Sequence, residues 1–329
     1  MGNNKRTEES SDFRKWFDTI IQLDKPAREG LGEDSFYCVR TSRSALVSVC
    51  DGCGGLGART YPGMSGHTGA YMASRLVSGA VRDWYHDNCK SSWTNVSQLS
   101  GSINAYISSA YAVCDPYAKE NQRIRGSLMR RLPTTLALAY VESAEGKLVV
   151  NLVWAGDSRV YLLDSTGLSQ LTQDDTAVKD ALENLVNDSP MNNVIAADGN
   201  YRLNTASIHL QKPALIIACT DGCFSYMQSP MDFEYSLLKT LVGSETPEKF
   251  KAGLAECFDE YAGDDYAFSL MSLGFGTYNA TRKAFAQRCQ HMKEKYVVNE
   301  SADDYHSKVR ESWQEYKINY EKYLNRETV

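Results

Sequence analysis

The chain has 329 residues, a formal net charge of −6 and a mean hydropathy of −0.42, which predicts a soluble globular protein of one large or two ordinary domains. It lacks the basic excess of nucleic-acid-binding proteins, so we expect no nucleic-acid partner. No run approaches the roughly 20 apolar residues of a membrane span, and the polar N-terminal segment, residues 1–20, lacks a signal-peptide pattern. We therefore expect no membrane partner, a cytoplasmic location, and buried free thiols at most of the nine cysteines.

Strand-like runs and helical periodicities alternate along most of the chain. The predicted strands are Phe36–Arg40, Ala45–Val49, Leu136–Val141, Leu148–Trp154, Val160–Asp164, Ala206–Leu210, Ala214–Cys219 and Ala267–Phe275. The predicted helices are His67–Trp84, Val96–Ala118 and Pro247–Tyr261. The segment LVVNLVWAGDSRVYLLD predicts a hairpin that turns at Gly156-Asp157-Ser158. Paired strands with long helices between them favour an α+β fold.

The C-terminal part, from Ala280 onward, is charged and helical in pattern. Its apolar residues recur at spacings of four and three; they are Phe285, Cys289, Met292, Tyr296, Val309, Trp313, Tyr316, Tyr320 and Tyr323. Such a stripe belongs either to a helical pair that packs on the main domain or to a docking surface for a partner or second subunit. We predict a polar N-terminal segment (1–20), a main domain (21–278) and a C-terminal helical extension (279–329).

Acidic residues stand at the ends of several predicted strands. They are Glu33, Asp34, Asp51, Asp157, Asp221, Asp264 and Asp265. One such residue is an ordinary turn residue, but five groups suggest strand ends that meet, where several carboxylates cannot all stay ionised unaided. A divalent cation resolves that conflict, and oxygen-only ligands favour Mg²⁺ or Mn²⁺. The Gly after Asp51 and the Gly after Asp221 would let the backbone approach such an ion.

Six segments, in this order, resemble the motifs of metal-dependent serine/threonine protein phosphatases of type 2C, particularly bacterial-like members. They are REGLGEDSF, ALVSVCDGCGG, LPTTLALAYV, VWAGDSRVYLL with LTQDD, IIACTDGCF and GDDYAFSLMSLG. The match runs from about Arg28 to Gly276. The resemblance implies two stacked antiparallel β-sheets with helices outside and metals at one end between them. It also implies hydrolysis of phosphoserine or phosphothreonine in a phosphoprotein substrate by a metal-activated water, without a covalent intermediate.

The resemblance also implies roles for individual residues. Asp51 would bridge two cations, with Asp221 and Asp264 at the first and the Gly52 carbonyl at the second. Glu33 would lie at or near the second cation, and Asp34 would hold waters nearby. Asp157, with Asp221, would help to bind a third. Arg28 would bind the substrate phosphate, although it stands five residues before Glu33 instead of the four usual in the family.

The chain departs from the family pattern at several positions. Cys53 stands where relatives have His or Met, Leu132-Pro133 replaces Met-Gly, and Ala267 replaces Thr or Ser. The segment after Gly55 is longer than usual, and residues 173–212 would include the variable flap beside the active site. No predicted ligand is missing, so we expect an active enzyme.

Two other interpretations remain open. A catalytically weak relative could act as a binding or signalling module, as the departures and the C-terminal helices suggest. A redox or zinc protein could instead use the pairs Cys50/Cys53 and Cys219/Cys223, but no residue pattern typical of such sites flanks them.

Overall fold

The computed structural model describes residue 13 and residues 16–61, 65–118, 130–144, 147–187, 189–261, 263–297 and 304–324. Most of the predicted N-terminal segment 1–20, residues 62–64 after Gly55 and residues 301–303 therefore lie outside the described residues. Among the helices that are described, none is both long and apolar enough to cross a membrane.

Two five-stranded antiparallel sheets form the centre of the molecule. The first sheet has the order β1-β10-β9-β6-β7 and the second the order β2-β3-β4-β5-β8. The strands are β1 Phe17–Lys25, β2 Ser35–Arg40, β3 Ser44–Cys50, β4 Leu136–Ala144, β5 Lys147–Ala155, β6 Arg159–Asp164, β7 Gly167–Gln170, β8 Asn204–Leu210, β9 Ala214–Cys219 and β10 Tyr266–Leu273. This arrangement confirms the predicted α+β fold with two stacked antiparallel sheets.

The sheets pack face to face through a core to which both contribute. Val47 and Val49 of β3 meet side chains of the first sheet such as Ile216 and Met271. The alternate residues of β3, Leu46 and Cys50, face the helices on the opposite side. Because β3 is covered on both faces, all seven of its residues are buried, including Ser44 and Ser48.

Helices cover the outer face of each sheet. They are α1 Gly54–Gly57, α2 Gly69–Asn88, α3 Val96–Ala118, α4 Ala181–Asn187, α5 Pro230–Gly243, α6 Pro247–Tyr261, α7 Tyr278–Lys295 and α8 Tyr305–Tyr320. Helices α2 and α3 lie on the second sheet, where Trp84 and Ile103 are fully buried. Helices α5 to α8 lie on the first sheet.

The apolar stripe of the C-terminal helices is covered by the chain itself. Phe285 and Met292 of α7, with Trp313 and Tyr320 of α8, lie in the core on the outer face of the first sheet. The buried carboxylate of Glu234 on α5 connects both helices to that core. It accepts hydrogen bonds from Arg288 Nε (2.6 Å) and from the Tyr316 hydroxyl (2.5 Å).

The predicted hairpin at Gly156-Asp157-Ser158 is wrong. Strand β5 pairs with β4 and β8, whereas β6 pairs with β7 and β9, so the two strands belong to different sheets. Gly156 has a φ of +96°, a conformation that glycine adopts readily, and the chain crosses here from the second sheet to the first. Asp157 consequently lies between the two sheets, beside the ends of their central strands. The sequence analysis also missed β1, β7 and α5.

Candidate active site

The acidic residues come from the strand ends of both sheets. Asp51 follows β3 of the second sheet, and Asp221 opens a single 3-10 turn, Asp221–Cys223, directly after β9 of the first sheet. Burial, followed by repulsion from the charges of Asp34, Asp221 and Asp157, raises the pKa of Asp51. Carboxyl groups that are far apart in the sequence are therefore near enough to one another to interact electrostatically.

Burial and mutual repulsion work against ionisation of these carboxyl groups. Asp34 is only 8% exposed. Burial, followed by repulsion from Asp221 and Asp265, raises the pKa of Asp34 from 3.8 to about 8. Burial is also the largest cause of the raised pKa values of Asp51 and Asp157. Without a counter-charge, Asp34 would keep its proton at neutral pH.

Two threonines hold the backbone of Asp51. The Asp51 carbonyl accepts the Thr134 hydroxyl (2.6 Å) and the Thr135 amide (2.9 Å), while the Asp51 amide donates to Thr135 Oγ1 (3.0 Å). Thr135 Oγ1 also lies 2.6 Å from the hydroxyl of Ser158, next to Asp157. The two threonines thus fix Asp51 relative to the crossing between the sheets, a role that the sequence analysis did not assign.

The glycine after each key aspartate is required by backbone packing. A Cβ on Gly52 would lie 2.7 Å from the carbonyl oxygens of Glu33 and Ala70. A Cβ on Gly222 would lie 1.9 Å from the Asp265 carbonyl oxygen, closer than any real contact. The repeated Asp-Gly is therefore explained by neighbouring backbone segments that approach the residue after each aspartate closely.

The loop that carries Glu33 is held by two residues that the sequence analysis did not single out for this role. Asp265 accepts the amides of Ala27 (2.7 Å) and Glu33 (2.5 Å). Arg75 of α2 donates to the carbonyls of Gly32 (2.9 Å) and Glu33 (3.0 Å). Only the half-buried position of this basic residue on α2 could have indicated Arg75 in advance.

Glu33 and Asp264 lie at the more open side of the cluster. The Glu33 carboxylate accepts a hydrogen bond from the Thr68 hydroxyl, and burial is the largest cause of its raised pKa. Asp264 is exposed, and its Oδ1 accepts the amide of Asp265 (2.8 Å). Its charge contributes to the raised pKa values of both Glu33 and Asp51. Asp265 therefore holds the loop that carries Glu33, whereas Asp264 faces the cluster from the solvent side.

Arg28 is exposed on the loop before Glu33, and its carbonyl accepts the Leu31 amide (3.0 Å). A cavity of about 230 Å³ opens beside Asp34, and the cations among its lining residues are Lys25 and Arg75. Arg28 is not among the residues that line it. Its assignment to substrate phosphate stays a prediction.

The cysteines beside the site are buried thiols. Cys53 is 6% exposed, and burial, followed by the nearby Asp51 charge, raises its pKa. Cys50 lies in the core beneath α2, whereas Cys219 and Cys223 lie in the core beneath the helices of the first sheet. Cys50 and Cys219 therefore lie in opposite outer layers, and among the described residues no three His, Cys, Asp or Glu side chains converge to hold a metal ion, so the four thiols do not form one zinc site.

The donor atoms fit a hard divalent cation. Within the described residues, no three His, Cys, Asp or Glu side chains converge closely enough to form a complete metal site. However, Asp34 Oδ2 and Asp157 Oδ1 are buried without a hydrogen-bond partner among those residues, and the surrounding ligands are oxygens, which Mg²⁺ and Mn²⁺ prefer. A cation would also remove the repulsion that raises the carboxyl pKa values.

Comparison with known proteins identifies the family. The family model "Protein phosphatase 2C" matches residues 27–259. None of the curated protein sequences matches the chain. Among solved structures, the serine/threonine phosphatase Stp1 of Staphylococcus aureus is 18% identical, with a TM-score of 0.57 over 78% of this chain and 96% of that one.

Two further structures are of PstP. The Mycobacterium tuberculosis serine/threonine phosphatase PstP/Ppp is 19% identical, with a TM-score of 0.54 over 78% of this chain and 98% of that one. The PstP catalytic domain in complex with two manganese ions is 17% identical, with a TM-score of 0.51 over 78% and 99%. At such identities, the structures show a shared fold, whereas the family model covers well over half of the chain. The chain therefore belongs to the protein phosphatase 2C family.

Proposed function

We propose that the chain hydrolyses phosphoserine and phosphothreonine in proteins and that the reaction depends on Mg²⁺ or Mn²⁺. The observation that carries this proposal is the cluster of strand-end carboxylates, two of whose buried oxygens lack a hydrogen-bond partner among the described residues. Membership of the protein phosphatase 2C family supports the reaction class.

We assign the residues as follows. Asp51 would contribute to two cation sites, of which Asp221 and Asp264 would complete the first and the Gly52 carbonyl would belong to the second. Glu33 and Asp34 would contribute to the second site, directly or through water, and Asp157 with Asp221 would hold a third cation. When bound, the cations supply an activated water nucleophile and neutralise charge on the phosphoryl oxygens, so no covalent protein intermediate is needed.

The chain's own side chains orient these ligands and control protons. Thr134 and Thr135 hold the Asp51 backbone, so its carboxylate enters the cluster in a fixed orientation. The Cys53 thiol, whose pKa burial raises, is a poor general acid at neutral pH. The proton for the leaving serine or threonine oxygen therefore comes from solvent water. Arg28 would meet the substrate phosphate on the open side of the loop.

Phosphate release from a phosphothreonine peptide tests the proposal. The wild-type protein should release phosphate with Mn²⁺ and lose that activity with a chelator. Asp51→Asn and Asp221→Asn should each lower kcat/KM by about 100-fold or more, since each removes a charged ligand. Asp83→Asn, in an exposed ion pair with Arg82, is the matched control and should leave kcat/KM unchanged. Full activity in both Asp51→Asn and Asp221→Asn would contradict the proposal.

A catalytically weak binding module is the second candidate. The departure Leu132-Pro133 favours it, because Leu132 is buried with a φ of +53°, a strained conformation for a branched side chain beside the site. Titration calorimetry with Mn²⁺ separates the two candidates: absence of binding by the folded protein would support the module. Partner docking or self-association through the C-terminal helices, and the cytoplasmic location, stay predictions.

A further inference from the structure

The C-terminal helix α8 contacts the segment that covers one side of the site. This segment, residues 173–203 between β7 and β8, includes helix α4 and is called the flap here. Trp313 is 1% exposed, and its indole Nε1 lies 3.0 Å from both carboxylate oxygens of Asp180 in the flap. Lys317, one helical turn further along α8, lies 3.6 Å from Asp180 Oδ2. Two residues of the extension therefore bind one flap carboxylate.

The same carboxylate caps helix α4. Asp180 Oδ1 accepts the amides of Leu182 (3.0 Å) and Glu183 (3.1 Å), the first amides of a helix that have no partner within it. Since one carboxylate binds both α8 and the first turn of α4, displacement of α8 removes support from the flap helix directly.

Helix α4 in turn forms a wall of the recess at the acidic cluster. Asn184 donates to Asp174 Oδ2 (3.2 Å) and to Thr176 Oγ1 (2.9 Å). This recess, of about 50 Å³, is lined by Asn184 of α4 together with Asp157 and Asp221. The position of α4 consequently determines how open the site is on the Asp157 side.

A second contact of α8 is with Arg159, which also lines this recess. Tyr320 Oη lies 3.4 Å from Arg159 Nη1, and the buried guanidinium of Arg159 pairs with Asp174 at 2.6 Å. The other half of the flap is fixed without α8, because Thr134 and Ile195 exchange two backbone hydrogen bonds of 2.9 Å. Helix α8 is therefore in a position to affect the α4 half of the flap while leaving the Thr134 side unchanged.

We propose that α8 is a built-in positioning element of the flap. Trp313, acting through Asp180, holds α4 against the Asp157–Asp221 recess and so sets how well a phosphoprotein, as opposed to a small phosphomonoester, is held at the site. The proposal rests on the proposed phosphatase function. It concerns a part of the chain outside the family match, which ends at residue 259.

The test uses the full-length protein with Trp313→Phe, which keeps an aromatic ring in the core and removes the indole N–H. Glu315→Gln, on the same helix as Trp313, is the matched control, because it breaks only the exposed ion pair with Lys295 of α7. Amide hydrogen exchange in α4, at Leu182 and Glu183, should become about 10-fold faster in Trp313→Phe, as expected for loss of a hydrogen bond to a charged group. Exchange in β9 and in the control should not change.

Kinetics provide the second measurement. In Trp313→Phe, KM for a phosphothreonine peptide should rise about 5-fold, while kcat for p-nitrophenyl phosphate stays within about twofold of wild type. Asp180→Asn keeps the helix cap but weakens the bonds to Trp313 and Lys317, so it should shift both measurements in the same direction by a smaller amount. It replaces Trp313→Phe if that variant fails to fold.

Unchanged exchange in α4, or faster exchange with an unchanged peptide KM, would overturn the proposal. If the wild-type protein releases no phosphate, the proposed function fails. The exchange comparison still decides whether α8 holds the flap, so the two failures are distinguishable.

Discussion

The ionisation of Asp34 gives a quantitative prediction for the metal-free protein. Asp34 is buried among other carboxylates, and its pKa is raised from 3.8 to about 8. A carboxyl group whose pKa is higher in the folded state stabilises that state only while it is protonated. The stability that it contributes is fully present below pH 4 and is lost as the pH rises to about 8. Removing this charge should therefore stabilise the chelator-treated protein at high pH.

The magnitude follows from the difference between the two pKa values. At 1.36 kcal/mol for each pKa unit, the penalty at pH 8 is about 5 kcal/mol. Asp34→Asn removes the charge but leaves a buried amide that needs hydrogen-bond partners, which offsets about 2 kcal/mol. We expect the free energy of unfolding to increase by about 3 kcal/mol at pH 8 and to fall by about 2 kcal/mol at pH 4, where only the cost of the buried amide remains.

Urea unfolding of the chelator-treated protein at pH 4, 6 and 8 measures this effect. Asp83→Asn, an exposed carboxylate, should change the free energy of unfolding by less than about 0.5 kcal/mol at each pH. Added Mn²⁺ should stabilise the wild-type protein more than Asp34→Asn, because the cation supplies the counter-charge. If Asp34→Asn is less stable than the wild-type protein at pH 8, the argument that the Asp34 charge destabilises the metal-free folded state is refuted.

Three further outcomes follow from the same contacts. Gly222→Ala should lower the free energy of unfolding in urea by about 3 kcal/mol, because its Cβ would overlap the Asp265 carbonyl. Gly55→Ala is the control and should be near neutral, because a Cβ on Gly55 would have no heavy atom within 4 Å. Arg75→Lys should raise KM for a phosphothreonine peptide about 5-fold, because one ammonium cannot reach both loop carbonyls that the guanidinium holds; an unchanged KM would contradict this. Cys53 in the folded protein should resist alkylation by iodoacetamide at pH 8, because burial keeps its thiol neutral. Mass spectrometry, with the urea-unfolded chain as the reference, measures the alkylation. Rapid alkylation in the folded protein would show an accessible thiolate.

The sequence predicted the general fold because its signals are local. Apolar runs such as Ala214–Cys219 are strands that end at an aspartate, and the spacing of Trp313, Tyr316 and Tyr320 follows from one buried face of α8. The hairpin at Gly156 was wrong because two adjacent β-runs give the same local pattern whether they pair or enter different sheets. Only the pairing of β6 with β9 distinguishes the cases.

The supporting residues of the site could not be predicted for a related reason. Arg75 and Asp265 act on backbone groups more than 40 residues away, at Gly32 and Glu33, and no spacing rule connects them. Asp180 and Trp313 are separated by 133 positions, and each has an ordinary local explanation as a helix cap or a core aromatic. Their joint role depends on how α8 docks on the first sheet.

Anomalous diffraction at the manganese edge, from a crystal of the full chain soaked in Mn²⁺, tests the central claim most directly. The account predicts strong peaks within coordination distance of the Asp51 carboxylate, one shared with Asp221 and Asp264 and another beside the Gly52 carbonyl. Crystals of Asp51→Asn should lose at least one of these peaks. A wild-type map with manganese bound elsewhere, and none at Asp51, would contradict the account.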